Sequence, residues 1–145
     1  MTLDALSLAR FRRSVVGLVI ASGALPALAE VGPFAVTNVS QELVRAYNRE
    51  DAQALHRLLA PSLKARYTVE AVRTTLRLCR VLFYDIDRIS TPVWGGRRHG
   101  YFAVHAEPGV FEMHLEIDAD EKIIHFMITD DLAAEPQQCR ISYLD

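Results

Sequence analysis

Residues 101 to 129 constrain this chain more than any other stretch, because three consecutive segments alternate apolar and polar side chains with a period of two. The segments are Tyr101 to Glu107, Val110 to Asp118 and Lys122 to Thr129. Glu107-Pro108-Gly109-Val110 separates the first two, with Pro and Gly at the centre of a tight turn, the type II preference. Asp118 to Glu121 forms a second short, acidic turn. Strands joined by such connections run antiparallel, since a parallel return needs a long crossover. A two-residue loop at Pro108-Gly109 pairs Glu107 with Val110, and so Phe102 with Leu115, Val104 with Met113 and Ala106 with Phe111. Centring the next turn on Ala119-Asp120 pairs Leu115 with Ile124, Met113 with Phe126 and Phe111 with Ile128. One face of the sheet is then continuous hydrocarbon. The other collects Tyr101, His105, Glu112, His114, Glu116 and His125, with His114 across from His125 and His105 across from Glu112. A one-residue slip would reverse both faces.

Upstream the period changes to that of a helix. Ser40 is placed to cap a helix over Gln41 to Arg49, and Glu50-Asp51 opens a second over Ala52 to Leu59, which Pro61 ends. Thr68 caps a third, in which Val69, Val72, Leu76, Cys79 and Phe83 recur at three- and four-residue steps. Arg73, Arg77 and Arg80 flank that stripe and read as a solvated edge. Tyr84 to Trp94 reads as the first strand, ended by Gly95-Gly96, and Ile141 to Leu144 as a further edge strand. The sum is an α+β domain, three N-terminal helices packed on one face of a curved antiparallel sheet.

The first thirty residues belong to a different problem. Arg10, Arg12 and Arg13 precede an apolar run from Val15 to Leu25, and Ala27-Leu28-Ala29 supplies a small-x-small cleavage pattern. The run is shorter than the roughly 20 apolar residues that span a bilayer. The expectation is a signal peptide over residues 1–29 and a single exported domain, periplasmic or secreted, over 30–145, with its core at about 40–130 and a tail at 131–145. Two cysteines in an exported chain invite a disulfide, here Cys79 with Cys139. In the chain-entropy view, closing a loop of about sixty residues is worth roughly 4 kcal/mol. The alternative is a buried helical Cys79 and a free thiol at Cys139. The formal net charge is −2, with arginines concentrated before Val81 and acidic residues after it. Such a balance excludes a typical nucleic-acid binder, and it can orient a homodimer.

The chemistry-bearing residues are sparse. There is no Gly-rich phosphate loop, no Gly-x-Ser-x-Gly and no Cys-x-x-Cys. His105, Glu112, His114 and His125 have the composition of a metal site. However, any two-faced strand gathers its polar residues, and a flat face lacks the closed shell of supporting groups that holds a metal. No metal and no cofactor are expected.

Three stretches carry a resemblance to a known superfamily: "AYNREDAQALHRLLAPSLKARYTVEAV" with its helix break before "TVEAVRTTL", the hairpin "FAVHAEPGVFEMHLEID", and the closing "DADEKIIHFMI". Together they resemble the nuclear transport factor 2-like, or cystatin-like, α+β roll, and more narrowly an uncharacterised group of exported bacterial domains within it. The likeness covers Ser40 to Asp130. It departs from the pattern at "CRVLFYD", where related domains often carry a glycine. Enzymes of this superfamily, such as ketosteroid-isomerase-like isomerases, cyclases and dehydratases, place acids, bases or donors on the cavity side of the sheet. Here that side offers only apolar groups, Phe102, Val104, Met113 and Phe126 among them. A catalytic alternative has to draw on Asp85 or Asp87 with Tyr47 or Tyr67. The expected function is therefore a non-catalytic module. It binds a small apolar ligand at Phe102, Val104, Met113 and Phe126, or a protein partner or second copy through His105, Glu112, His114 and His125, without membrane association after signal cleavage.

Overall fold

A computed structural model of the chain describes residues 31–130 and 139–143. The expected signal peptide and residues 131–138 of the tail lie outside the described residues. Helix α1 spans Ala35–Asn48, α2 Ala52–Leu58, α3 Pro61–Lys64 and α4 Val69–Phe83. Among the described residues four helices replace the three expected, and the first starts earlier than expected, each for a local reason. Pro61 does not simply end α2; it stands at the first position of α3, where a missing N–H is harmless. Ser40 does not cap α1, which begins five residues earlier. Ser40 is buried inside it, its hydroxyl donating to the Thr37 carbonyl at 2.7 Å. Val36, Val39, Leu43, Ala46 and Tyr47 form the buried stripe of that longer helix. The other caps follow the sequence. Asp51 accepts from the Ala54 N–H at the start of α2, and Thr68 from the Ala71 N–H at the start of α4.

Six strands follow: β1 Ile86–Ile89, β2 Trp94–Gly95, β3 His99–Ala106, β4 Gly109–Ile117, β5 Ile123–Thr129 and β6 Arg140–Ser142. They form one antiparallel sheet in the order β1-β3-β4-β5-β6, with β2 also pairing to β3. The single first strand expected over Tyr84 to Trp94 is thus two short pieces along one edge of β3. Pro92 lies in the gap, and it has no N–H to give to the ladder. Asn48 holds the start of β1 like a clamp, its amide donating to the Ile86 carbonyl at 2.8 Å and accepting from the Ile86 N–H at 3.0 Å.

The two hairpin registers each differ from expectation by two residues. Phe102 faces Met113, Val104 faces Phe111 and Ala106 faces Gly109, so the turn is Glu107-Pro108. Across the next pair, Leu115 faces Phe126 and Met113 faces Ile128. A slip of two leaves every side chain on its expected face, which is why alternation cannot distinguish the two registers. It does move the outer partners. His105 lies opposite Val110, Glu112 opposite Ala103, His114 opposite Met127, and His125 opposite Glu116.

One residue does change face. The register shifts between Glu116 and Ile117, leaving Ile124 as the extra residue of a bulge, and Ile123 turns inward in its place. The bulge sits where the backbone of Ile123 is held from outside the sheet, its carbonyl accepting from the Ala60 N–H at 2.9 Å.

The core is a single cluster between helices and sheet. Leu43, Tyr47, Leu55, Leu63, Val72 and Leu76 supply the helical side, and Phe102, Val104, Met113, Leu115, Phe126 and Ile128 the sheet side. Cys79 of α4 is disulfide-bonded to Cys139, which tethers the last strand to the helical layer, with Cα atoms 4.8 Å apart. Among the described residues no buried side-chain nitrogen or oxygen lacks a hydrogen-bond partner. The protein is an α+β domain whose helices cover one face of an open antiparallel sheet.

Candidate binding face of the sheet

With the helices on the inner face, the outer face is covered, among the described residues, by its own side chains. Antiparallel pairing places Trp94 opposite Tyr101, and Tyr101 opposite His114. The cross-strand spacing lets each ring meet the next. Trp94 and Tyr101 have ring centroids 5.2 Å apart, Tyr101 and His114 stack at 4.3 Å with planes 5° apart, and His114 meets His125 diagonally at 4.8 Å. The row closes on β6, where His125 Nδ1 lies 2.9 Å from the Ser142 hydroxyl. Four rings from four strands thus form one diagonal across the sheet. It is open at one end and shut at the other, with Trp94 66% exposed and His125 7%.

Burial sets the protonation of this row. His125 is pushed down to about 4, chiefly by burial, with His114 and Arg140 nearby adding to the effect. His114 is also lowered, again by burial first, although Glu116 beside it pulls the other way. Its Nε2 lies 3.2 Å from a Glu116 oxygen. Both imidazoles are accordingly neutral at physiological pH and behave as flat, polarisable packing groups.

The remaining outer residues are dispersed by the register. His105 sits toward β1, its Nδ1 3.3 Å from an Arg88 nitrogen. Glu112 is exposed and makes no hydrogen bond or ion pair with a described residue. The expected pairs His105–Glu112 and His114–His125 are therefore not opposite each other, though the His114 and His125 rings still touch. Among the described residues no three His, Cys, Asp or Glu side chains converge as a metal site would require.

On the inner face Phe102, Val104, Met113 and Phe126 are all 2% exposed or less and belong to the packed core. They pack with the helix residues of that cluster, and Phe102 also borders a groove shared with Trp94 and Tyr101. The four residues of the catalytic alternative are not brought together either. Asp85 is exposed and ion-paired with Arg80, and Asp87 is exposed. Tyr47 is fully buried, its hydroxyl donating to the Tyr84 carbonyl at 2.9 Å, and burial pushes it up to about 12. Tyr67 reaches the other end of the sheet, its hydroxyl 3.4 Å from the Ser142 carbonyl, while its own carbonyl accepts from His56 Nε2 at 3.0 Å. Arg80 is not the solvated residue expected. It bonds Asp85, lies 3.1 Å from Glu50, and sits over the Tyr47 ring at 5.9 Å.

Sequence reasoning missed two features. The sequence places Trp94 only at the end of a strand, because its surroundings depend on β2 pairing with β3 through a loop whose path local patterns do not disclose. Leu78, Val81 and Leu82 form an exposed apolar stripe on the solvent side of α4. Their spacing of three and four residues was visible in "LRLCRVLF", but the stronger inward stripe masked it.

No family model, no curated protein and no solved structure matches this chain. The fold and the face described above are therefore the basis for function.

Proposed function

We propose that this chain is an exported, non-catalytic binding module of the nuclear transport factor 2-like roll type that pairs with a second copy of itself through the outer face of its sheet. The observation that carries the reading is the outer face, which no described helix covers, crossed by the Trp94–Tyr101–His114–His125 row and flanked by exposed Val93 and Val110. Contiguous exposed apolar surface of this kind favours association. The face also carries both signs of charge, with Arg88 and Arg140 at opposite edges and Glu112 and Glu116 in the middle strand. A two-fold arrangement can set the acidic strand of one copy against basic edges of the other. Area is sufficient, though not generous. Strands about 4.8 Å apart and from 2 to 9 residues long present on the order of 500 Å² per copy, or about 1,000 Å² in a pair, the lower bound for a specific interface. The pairing is accordingly expected in the micromolar range.

Export is supported by the Cys79–Cys139 disulfide, which fits an oxidising compartment. No described helix is long and apolar enough to cross a membrane.

Light scattering coupled to size exclusion tests the pairing, on protein beginning at Glu30. A dimer at micromolar concentration that dissociates in Val110→Glu, while Val81→Glu on α4 leaves it intact, supports the reading. A monomer overturns it, as does a dimer broken only by Val81→Glu, which would move the interface to the helix.

A further inference from the structure

At the open end of the aromatic row lies a groove of about 240 Å³ lined by Val93, Trp94, Tyr101, Phe102, Ala103 and Glu112. The strand pairing explains its shape. Tyr101 and Ala103 are two apart on β3 and share the outer face, and Ala103 lies opposite Glu112 on β4. The short Ala103 side chain leaves a floor between taller neighbours. Trp94 and Tyr101 form one wall, their planes inclined at 44°. Glu112 stands at the other side with no described partner for its carboxylate.

The geometry points to a site for a small organic ammonium ion, an alkylated amine of the choline or tetramethylammonium class. Ring faces attract a cation through their quadrupole, most strongly for Trp and Tyr, and an aromatic wall suits the methyl groups of an alkylated ammonium. Glu112 supplies the opposite charge. Because Glu112 is exposed and has no ion-pair partner among the described residues, it breaks no pair within them to bind. Arg88, on β1 at the same sheet edge, is engaged with His105. Size narrows the choice further. The groove is smaller than the roughly 300 Å³ at which pockets begin to enclose drug-sized ligands. It therefore takes one compact head group. With two rings and one carboxylate at an exposed site, the expected dissociation constant is millimolar.

Trp94 is the only tryptophan in the chain, so intrinsic fluorescence reads this groove directly. Titration with tetramethylammonium chloride should change Trp94 emission saturably. Sodium chloride at the same ionic strength should not. The uncharged choline isostere 3,3-dimethylbutan-1-ol should bind at least about ten-fold more weakly, since it keeps the shape and loses the charge. Glu112→Gln, checked for an unchanged thermal melt, should weaken tetramethylammonium by about two- to five-fold, as expected for one exposed ion pair. Equal responses to the salt or to the neutral isostere would overturn the assignment, as would unchanged affinity in Glu112→Gln. A lysine-containing peptide that binds more tightly than tetramethylammonium would transfer the site to a protein side chain and likewise overturn it. The pairing proposed above would cover the same face, so the titration is made at a concentration where light scattering shows a monomer; a monomer that fails to titrate overturns the site and leaves the pairing untouched.

Discussion

The two faces of strands β3 to β5 are made from the same backbone and reach opposite solutions. The inner face buries Phe102, Val104, Met113, Leu115, Phe126 and Ile128 against four helices at 2% exposure or less. The outer face gathers Trp94, Tyr101, His114 and His125 into a row of touching rings that lean on one another and on Ser142. The inner face gains its stability from area removed from water, roughly 25 cal/mol per Å² of apolar surface. The outer face gains little from area, and its cohesion depends on the protonation state of two imidazoles. Binding functions follow the same division. The packed face is taken up by the core, whereas the face on which binding is proposed ends in an exposed tryptophan.

The largest test of that contrast is a pair of truncations on neighbouring strands. Phe126→Ala should destabilise by about 3–5 kcal/mol, through lost transfer energy plus the cavity left behind. Glu112→Ala should lie within about 0.5 kcal/mol of the parent. Urea denaturation monitored by circular dichroism measures both. Similar effects from the two variants would show that the faces are not energetically distinct.

The tether between sheet and helices comes next. Replacing Cys79 and Cys139 together by serine opens a loop of 60 residues, and the chain-entropy estimate for that length is a loss of about 4 kcal/mol. A loss well below 1 kcal/mol in the same denaturation experiment would mean that β6 is held to α4 by packing alone.

The outer face should reveal itself through pH. Above its ordinary value of 6.5, His125 is neutral in both folded and unfolded chains and has no effect. As pH falls from there toward about 4, the unfolded chain takes up the proton first, so stability drops across that window and levels off below it. The drop attributable to this residue is on the order of 3 kcal/mol. Carboxylates titrate in the same range, so the informative quantity is the difference from His125→Gln, whose stability should fall less steeply between those limits. Parallel profiles for the two proteins would mean that the imidazole is not held neutral by its surroundings.

How much of this was legible in the sequence differs by feature. The faces of Phe102, Val104, Met113 and Phe126 follow from alternation alone, and they survive a register error of two because parity is unaffected. The helix over Val69 to Phe83 was legible from its stripe and from Thr68, since both signals are local. Ile124 was assigned inward and Ile123 takes that place, because a bulge pinned by the Ala60 N–H adds a residue that no local pattern announces. The groove at Trp94 was not legible at all. Its walls come from three strands and its floor from the small size of Ala103, and they meet only once the edge has folded back on β3.

The sequence by itself determined which sides of β3 and β4 are greasy, where α2 and α4 are capped and which two cysteines are available, because these depend on neighbours a few residues apart. The tertiary structure alone decided the register, the closure of the inner face by the helices, the burial that keeps His125 neutral and the convergence of Trp94, Tyr101 and Glu112. Each of those depends on residues distant in the chain whose separation is fixed only when the layers pack.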